Sequence, residues 1–355
     1  MMVGWVRTMA VMSLAAALLG CARPATSGAY EVTYASPYPP SHPFSRADID
    51  WIKWVESRSG GRLRIKPSWA GALISSDESM IELRHGIADM GLITPIYERG
   101  GVQMLRAQSG FYGGVASIGE QVEVYDCLAA STPEFAKELE GLHVLAVQGG
   151  NLPGVVTRTR PIRTLEDLKG LRLRAPVELI PILRTLGADP VNMPMNDVYS
   201  ALAKGVIDGV VAPADTLQTL HFAEVAHYFW QVRIARGAYA ARAMSNQAYR
   251  RLPPDLQRLM DDSRRIWEAA LDRQISSSVA AGEAFGRKHG VNFAPASAAD
   301  QTKWNIAYNA GALDSARGLK RYGLDGETVF RRAQTAVSEI RAGRFPACAF
   351  SSPSA

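Results

Sequence analysis

The run Leu165-Glu-Asp-Leu-Lys-Gly-Leu-Arg-Leu-Arg-Ala-Pro176, continued by Leu186-Gly-Ala-Asp-Pro-Val-Asn-Met-Pro194, Asp197-Val-Tyr-Ser-Ala-Leu202 and Gly205-Val-Ile-Asp-Gly-Val-Val-Ala-Pro213, decides the fold. Glu166 and Asp167 load the first turn of a short helix that stops at Gly170, where the left-handed closing conformation is open to glycine. Leu171 and Leu173 then alternate with Arg172 and Arg174, the period of a strand with one buried face. The spacing predicts a helix from about Leu179 to Leu186, closed by Gly187, and a brief strand over Val191–Met193. Next come a helix capped by Asn196 or Asp197, carrying Val198, Leu202 and Val206, and a strand over Val210–Ala212 halted by Pro213. Short strands alternating with helices imply a parallel sheet covered by helices.

The same residues carry a resemblance. Arg172-Leu-Arg-Ala-Pro176 and the three segments after it stand in the order and spacing of the solute-receptor subunit of tripartite ATP-independent periplasmic (TRAP) transporters, which the chain resembles. In weaker form the likeness extends from about Glu31 to about Gly326. It includes Val55-Glu-Ser-Arg-Ser-Gly-Gly-Arg62 and Leu83-Arg-His-Gly-Ile-Ala-Asp-Met-Gly91. The resemblance implies an α/β protein of the two-lobe periplasmic binding protein fold. Each lobe would be a mainly parallel sheet flanked by helices, with the ligand cleft between them and a long helix as spine.

At the start of the chain, Arg7, the apolar run Met9–Leu19 and Leu18-Leu-Gly-Cys21 read as a signal peptide over residues 1–20, processed so that Cys21 becomes a lipidated first residue. Residues 21–29 then form the tether of a lipid anchor holding the protein to a membrane in the periplasm. No later stretch is long and apolar enough to span a bilayer as a helix.

The chain of 355 residues carries a formal charge of +5; losing residues 1–20 removes Arg7 alone, so 38 basic residues face 34 acidic ones, a net of +4. The basic residues of Arg62–Lys66 and Arg158–Arg174 alternate with apolar ones, as on solvated strand faces, so no nucleic-acid partner is expected. Beyond Cys21 only Cys127 and Cys348 remain; they lie far apart, one near the tail, and the sequence leaves their pairing open.

Lobe I is expected over 30–150 with about 243–285, lobe II over 151–242 with about 286–345, and a loose tail over 346–355. Tyr30–Ala35 alternates as a strand and runs into a stiff loop with Pro37, Pro39, Pro40 and Pro43, at a strand end where open α/β sheets line their ligand crevice. Gly100–Gly119 reads as a loop over the cleft, Glu120–Leu139 as one helix, and Gly149–Gly154 as the crossing between lobes. An amphipathic helix is expected from Pro213 to about His227, then Tyr228–Ile234 with aromatics toward the cleft. A long helical region over Asp255–His289 would be the spine, with further helix over 303–345.

Catalytic signals are absent or poor. The chain has no phosphate-cradling glycine motif and no Gly-x-Ser-x-Gly elbow. His221, Glu224 and His227 follow a spacing that diverges around a helix, and Glu82 with His85 is a lone pair, so no metal, cofactor or enzymatic activity is expected. Arg174 differs: at a strand end just before Ala175-Pro176, its planar fork can match a carboxylate, although spacing alone favours bonds to neighbouring carbonyls or to Glu178. The resemblance implies that Arg174 holds the substrate carboxylate.

Two departures bear on the ligand. Many relatives carry a second arginine just before the lobe crossing, where this chain has Asn151-Leu-Pro-Gly154, and a polar residue where it has Ala212. Both favour a monocarboxylate with an apolar or aromatic body. Asn151, Asn192 and Asp215 are the candidate secondary polar contacts, and Tyr38, Trp69, Tyr97, Phe111 and Trp230 the candidate walls. The expected function is an extracytoplasmic receptor that closes on a small organic acid and delivers it to the small and large membrane subunits of a TRAP transporter. A receptor for an ATP-driven importer or a sensory system is the alternative, and an exported hydrolase a weaker one.

Overall fold

A computed structural model describes residues 29–346 and Cys348, so the leader, Cys21 and most of the tether lie outside the described residues. Eleven strands are described: β1 (Tyr30–Ala35), β2 (Leu63–Ser68), β3 (Met90–Leu92), β4 (Leu142–Gln148), β5 (Gly154–Thr157), β6 (Arg172–Arg174), β7 (Asp189–Val191), β8 (Gly209–Ala212), β9 (Tyr228–Gln231), β10 (Tyr239–Ser245) and β11 (Asn292–Pro295). They form two sheets, ordered β2-β1-β3-β10-β4 and β11-β9-β5-β8-β6-β7. Both sheets are mixed. β1 runs parallel to β2 and β3, and β6 to β7 and β8, but β10 lies antiparallel to β3 and β4, and β5 to β8 and β9. The antiparallel strands β5 and β10 are those that the chain enters as it crosses from one sheet to the other.

The helix Arg264–Lys288 runs along both lobes. Its first half buries Trp267, Ala270, Leu271 and Ile275 in the core of the first sheet. Its second half lies against the second: a Cβ at Gly282 would stand 2.3 Å from the Ala214 carbonyl oxygen, so only glycine lets the helix approach that loop. The expected spine is thus present, although Pro254–Asp262 forms a separate helix before a break at Ser263.

Arg242 and Asp48 are both almost fully buried, and they bind at 2.7 and 3.1 Å in the first lobe. The guanidinium also lies 4.5 Å from the Trp267 ring centroid, and Trp267 Nε1 donates to Asp48 at 2.8 Å. This network joins the helix Pro43–Arg58, β10 and the spine helix, and each charge has its partner.

Several expectations need correction. Glu120–Leu139 is two helices, Ile118–Ser131 and Pro133–Glu138, because Pro133 cannot continue the first. Gly100–Gly119 holds a helix, Gln103–Gln108, and sinks Phe111 and Tyr112 into the core. Beyond Pro213 stand only the turns Thr216–Thr219 and Phe222–Glu224, split at His221, whose φ of 60° is left-handed. His221, Glu224 and His227 therefore share no continuous helix. The helix Ala298–Gly318 begins in the second lobe, with Trp304 and Tyr308, and ends among first-lobe residues at Ala312 and Ala316; the helix Gly326–Arg341 packs wholly in the first. The stretch 286–345, expected in lobe II, thus divides within one helix. Cys127 and Cys348 form a disulfide, their Cα atoms 5.0 Å apart.

Candidate functional site

A cavity of about 870 Å³, counting the part open to solvent, lies between the lobes. Tyr38, His42, Tyr97 and Tyr239 reach it from the first lobe, Arg174, Glu178 and Asp215 from the second, Asn151 and Arg236 from the crossings, and Ile275 from the spine.

The wall from the first lobe comes from the proline-stiffened loop beyond β1. Its fold is held by backbone bonds from Gly71 N to Ser36 O and Ala70 N to Tyr38 O. His42 caps the helix Pro43–Arg58, its Nδ1 accepting from Phe44 N at 3.2 Å, which leaves the ring proton on Nε2. Its ring stacks on Tyr38 with centroids 4.3 Å apart. Burial, and then Arg46, hold the His42 pKa down at about 3, so the imidazole stays neutral.

Arg174 ends β6, which is hydrogen-bonded on both sides, to β7 and β8. Period-two alternation put this side chain on a solvated face; in fact only 1% of it is exposed, while Arg172 two residues earlier remains outside. Its Nε donates to the Met193 carbonyl at 2.9 Å, and one terminal nitrogen donates to the Tyr97 hydroxyl at 2.5 Å across the cleft. Among the described residues no carboxylate lies within ion-pair distance of Arg174 or of Arg236. Glu178 is thus not the ion-pair partner that sequence spacing allowed.

Asn151 and Asp215 meet at 3.0 Å, and Asn151 Nδ2 also reaches the Ile275 carbonyl at 3.2 Å, so crossing, second lobe and spine are tied at one corner. Burial raises the Asp215 carboxyl above its ordinary range, with Asn151 opposing. Arg236 lies over Gly150, where any Cβ would stand 2.4 Å from the guanidinium.

Of the residues singled out in the sequence, Tyr38, Tyr97, Asn151, Arg174 and Asp215 line the cavity. Trp69, Phe111, Asn192 and Trp230 do not. Trp230 is 1% exposed in the second-lobe core, because β9 is covered on both faces; Trp69 packs on Tyr34, ring centroids 5.6 Å apart. Phe111 meets Phe330 edge-on in the first-lobe core. Asn192 is spent on the Ala175 carbonyl at 3.0 Å, pinning the ends of β6 and β7. Sequence reasoning missed Arg236, His42 and Tyr239; for Arg236 the available signal was a lone arginine between apolar residues and Gly237.

Residues 34–311 match the family model of the bacterial extracellular solute-binding protein, family 7. The chain belongs to this family. A curated solute-binding protein of Albidiferax ferrireducens is 27% identical over 210 residues, which cover 57% of this chain and 60% of the relative. The match thus spans less than two thirds of that relative's length. Among solved structures, a TRAP periplasmic solute-binding protein from Desulfovibrio salexigens superposes with a TM-score of 0.71 at 25% identity, covering 86% of this chain and 94% of the other. A TRAP solute-binding protein from Rhodoferax ferrireducens, in complex with copurified benzoate, gives 0.80 at 21% identity, covering 88% and 99%. These two TRAP solute-binding proteins thus share this two-lobe fold.

Proposed function

We propose that the protein is an extracytoplasmic receptor which captures a small organic acid by lobe closure and delivers it to the small and large membrane subunits of a TRAP-type transporter. One observation carries the reading: Arg174 is a nearly fully buried cation that lines the cleft and has no carboxylate partner among the described residues. The equally buried Arg242 shows the ordinary arrangement, with Asp48 against it. A buried guanidinium left without an anion is costly, and a ligand carboxylate would complete it by paired, charge-assisted hydrogen bonds.

Arg236 supplies the second positive charge that the sequence lacks at Asn151. Tyr38, Tyr97 and Tyr239, with Phe44, offer flat apolar walls suited to a ring. The benzoate held by the Rhodoferax ferrireducens protein is an acid of that kind. Each lobe contributes part of the site, so the ligand favours the closed form by bridging them. Export with lipidation at Cys21 completes the reading; it rests on Leu18-Leu-Gly-Cys21 and is tested by whether Cys21→Ser releases the protein from the membrane fraction.

The primary experiment is thermal unfolding of the purified protein, freed of carried-over ligand by refolding, against a panel of small organic acids. A ligand at a hundred times its Kd adds about 2.7 kcal/mol, or roughly 5–10 °C. The shift should vanish in Arg174→Ala. Shifts that survive the substitution would move the anchor elsewhere, and no shift with any acid would end the carboxylate reading.

A further inference from the structure

We infer that the cleft selects, among organic acids, those that also carry a hydroxyl group, and that Glu178 receives this hydroxyl. The inference rests on the acid-receptor reading, with the carboxylate at Arg174.

Glu178 sits in the turn Val177–Leu179, directly after the Arg174-Ala-Pro176 strand end, and lines the same cavity. Its Oε2 is shielded from water and has no hydrogen-bond partner among the described residues. Neither Arg174 nor Arg236 pairs with it, although both line the cleft. The stem lies against Gly110, where a Cβ would stand 3.1 Å from the Glu178 Cβ. Glu178 lines the ligand cavity, and a carboxyl there with an oxygen left unpaired calls for a donor from the ligand. A hydroxyl fits best, because it donates to the ionised carboxylate and accepts from the neutral acid. Burial raises the Glu178 pKa, with Arg174 and Arg236 opposing. An ion pair with a ligand ammonium, by contrast, uses the ionised form alone.

One neighbour competes for the role. The Tyr308 hydroxyl is also shielded and unpartnered, and it feels the charge of Glu178.

The test is calorimetric titration with matched pairs, benzoate against 3-hydroxybenzoate and phenylacetate against mandelate. At least one hydroxy acid should bind about tenfold or more tightly than its parent, a discrimination that a site built around a hydroxyl readily reaches. Glu178→Leu should reduce the preference below about threefold, the ratio of the two affinities within the variant being the readout. Glu178→Gln, which preserves the side-chain shape and one acceptor, should keep part of it and serves if the leucine variant fails to fold. Acids that bind without preference overturn this inference and leave the receptor reading standing. If no acid binds, that reading falls and this inference with it. A preference lost in Tyr308→Phe but kept in Glu178→Leu assigns the hydroxyl to Tyr308 and overturns the role of Glu178.

Discussion

Arg174 and Tyr97 meet across the cleft, a guanidinium nitrogen of the second lobe donating to a phenolic oxygen of the first at 2.5 Å. The ring also lies 5.6 Å from the guanidinium carbon, so the proposed anchor for a ligand is itself a clasp between lobes. A hydrogen bond to a charged group contributes about 1.5–3 kcal/mol, and this one exists only where the lobes are together.

Tyr97→Phe keeps the ring and removes the hydroxyl. The closed form then loses that bond, and acid affinity should fall roughly ten- to hundredfold, with little change in the unfolding midpoint of the ligand-free protein. Titration calorimetry measures this directly. Unchanged affinity would show that the contact is not kept in the bound state.

Asp48→Asn should act in the opposite way. It leaves Arg242 buried without its counter-charge, which costs about 3–5 kcal/mol of stability, and Asp48 does not line the cleft. Denaturant unfolding should show the loss while affinity at temperatures where the variant is folded stays near wild type. A change below about 1 kcal/mol would mean the network relaxes around the asparagine.

The Cys127–Cys348 bridge closes a loop of 221 residues and pins the segment after the last helix to the helix Ile118–Ser131. Cys348→Ser should lower stability by roughly 2–5 kcal/mol, and added reductant should lower wild type to the same level. A reductant effect that persists in the variant would point to other thiol chemistry.

The ligand-free protein should also report the half-buried Glu178 through pH. Burial raises its pKa above the ordinary value of 4.5, so the folded state holds the proton more firmly than the unfolded chain. Its contribution is fully present below the unfolded pKa and is lost as pH rises through the folded one. Glu178→Gln removes the penalty of the buried charge. Relative to wild type the variant should therefore gain stability from about pH 4 toward neutrality. Parallel profiles across that range would place the carboxyl in contact with water.

What the sequence showed and what it hid divide along physical lines. Arg174 was readable because a guanidinium at a strand end before Ala-Pro is a local feature with few uses. Its burial was not, since period-two alternation assumes that one face meets water, and here that face meets the other lobe. Trp230 misled for the related reason that an aromatic strand looks the same whichever face is covered. The break at Thr132-Pro133 was signalled by the proline and overridden by apolar spacing on either side. The disulfide depends on a contact between segments far apart in the chain, which no local pattern encodes.

The depth of Arg174 has a consequence for timing. With 1% of its surface exposed and Tyr97 of the other lobe bonded to it, Arg174 would hold the carboxylate of the proposed ligand between the two lobes. Release must wait for the lobes to part, so residence time is bounded by the opening rate rather than by the strength of the contacts alone. Two acids of quite different affinity could then dissociate at similar speeds, and a membrane partner that pries the lobes apart would act as a catalyst of unloading.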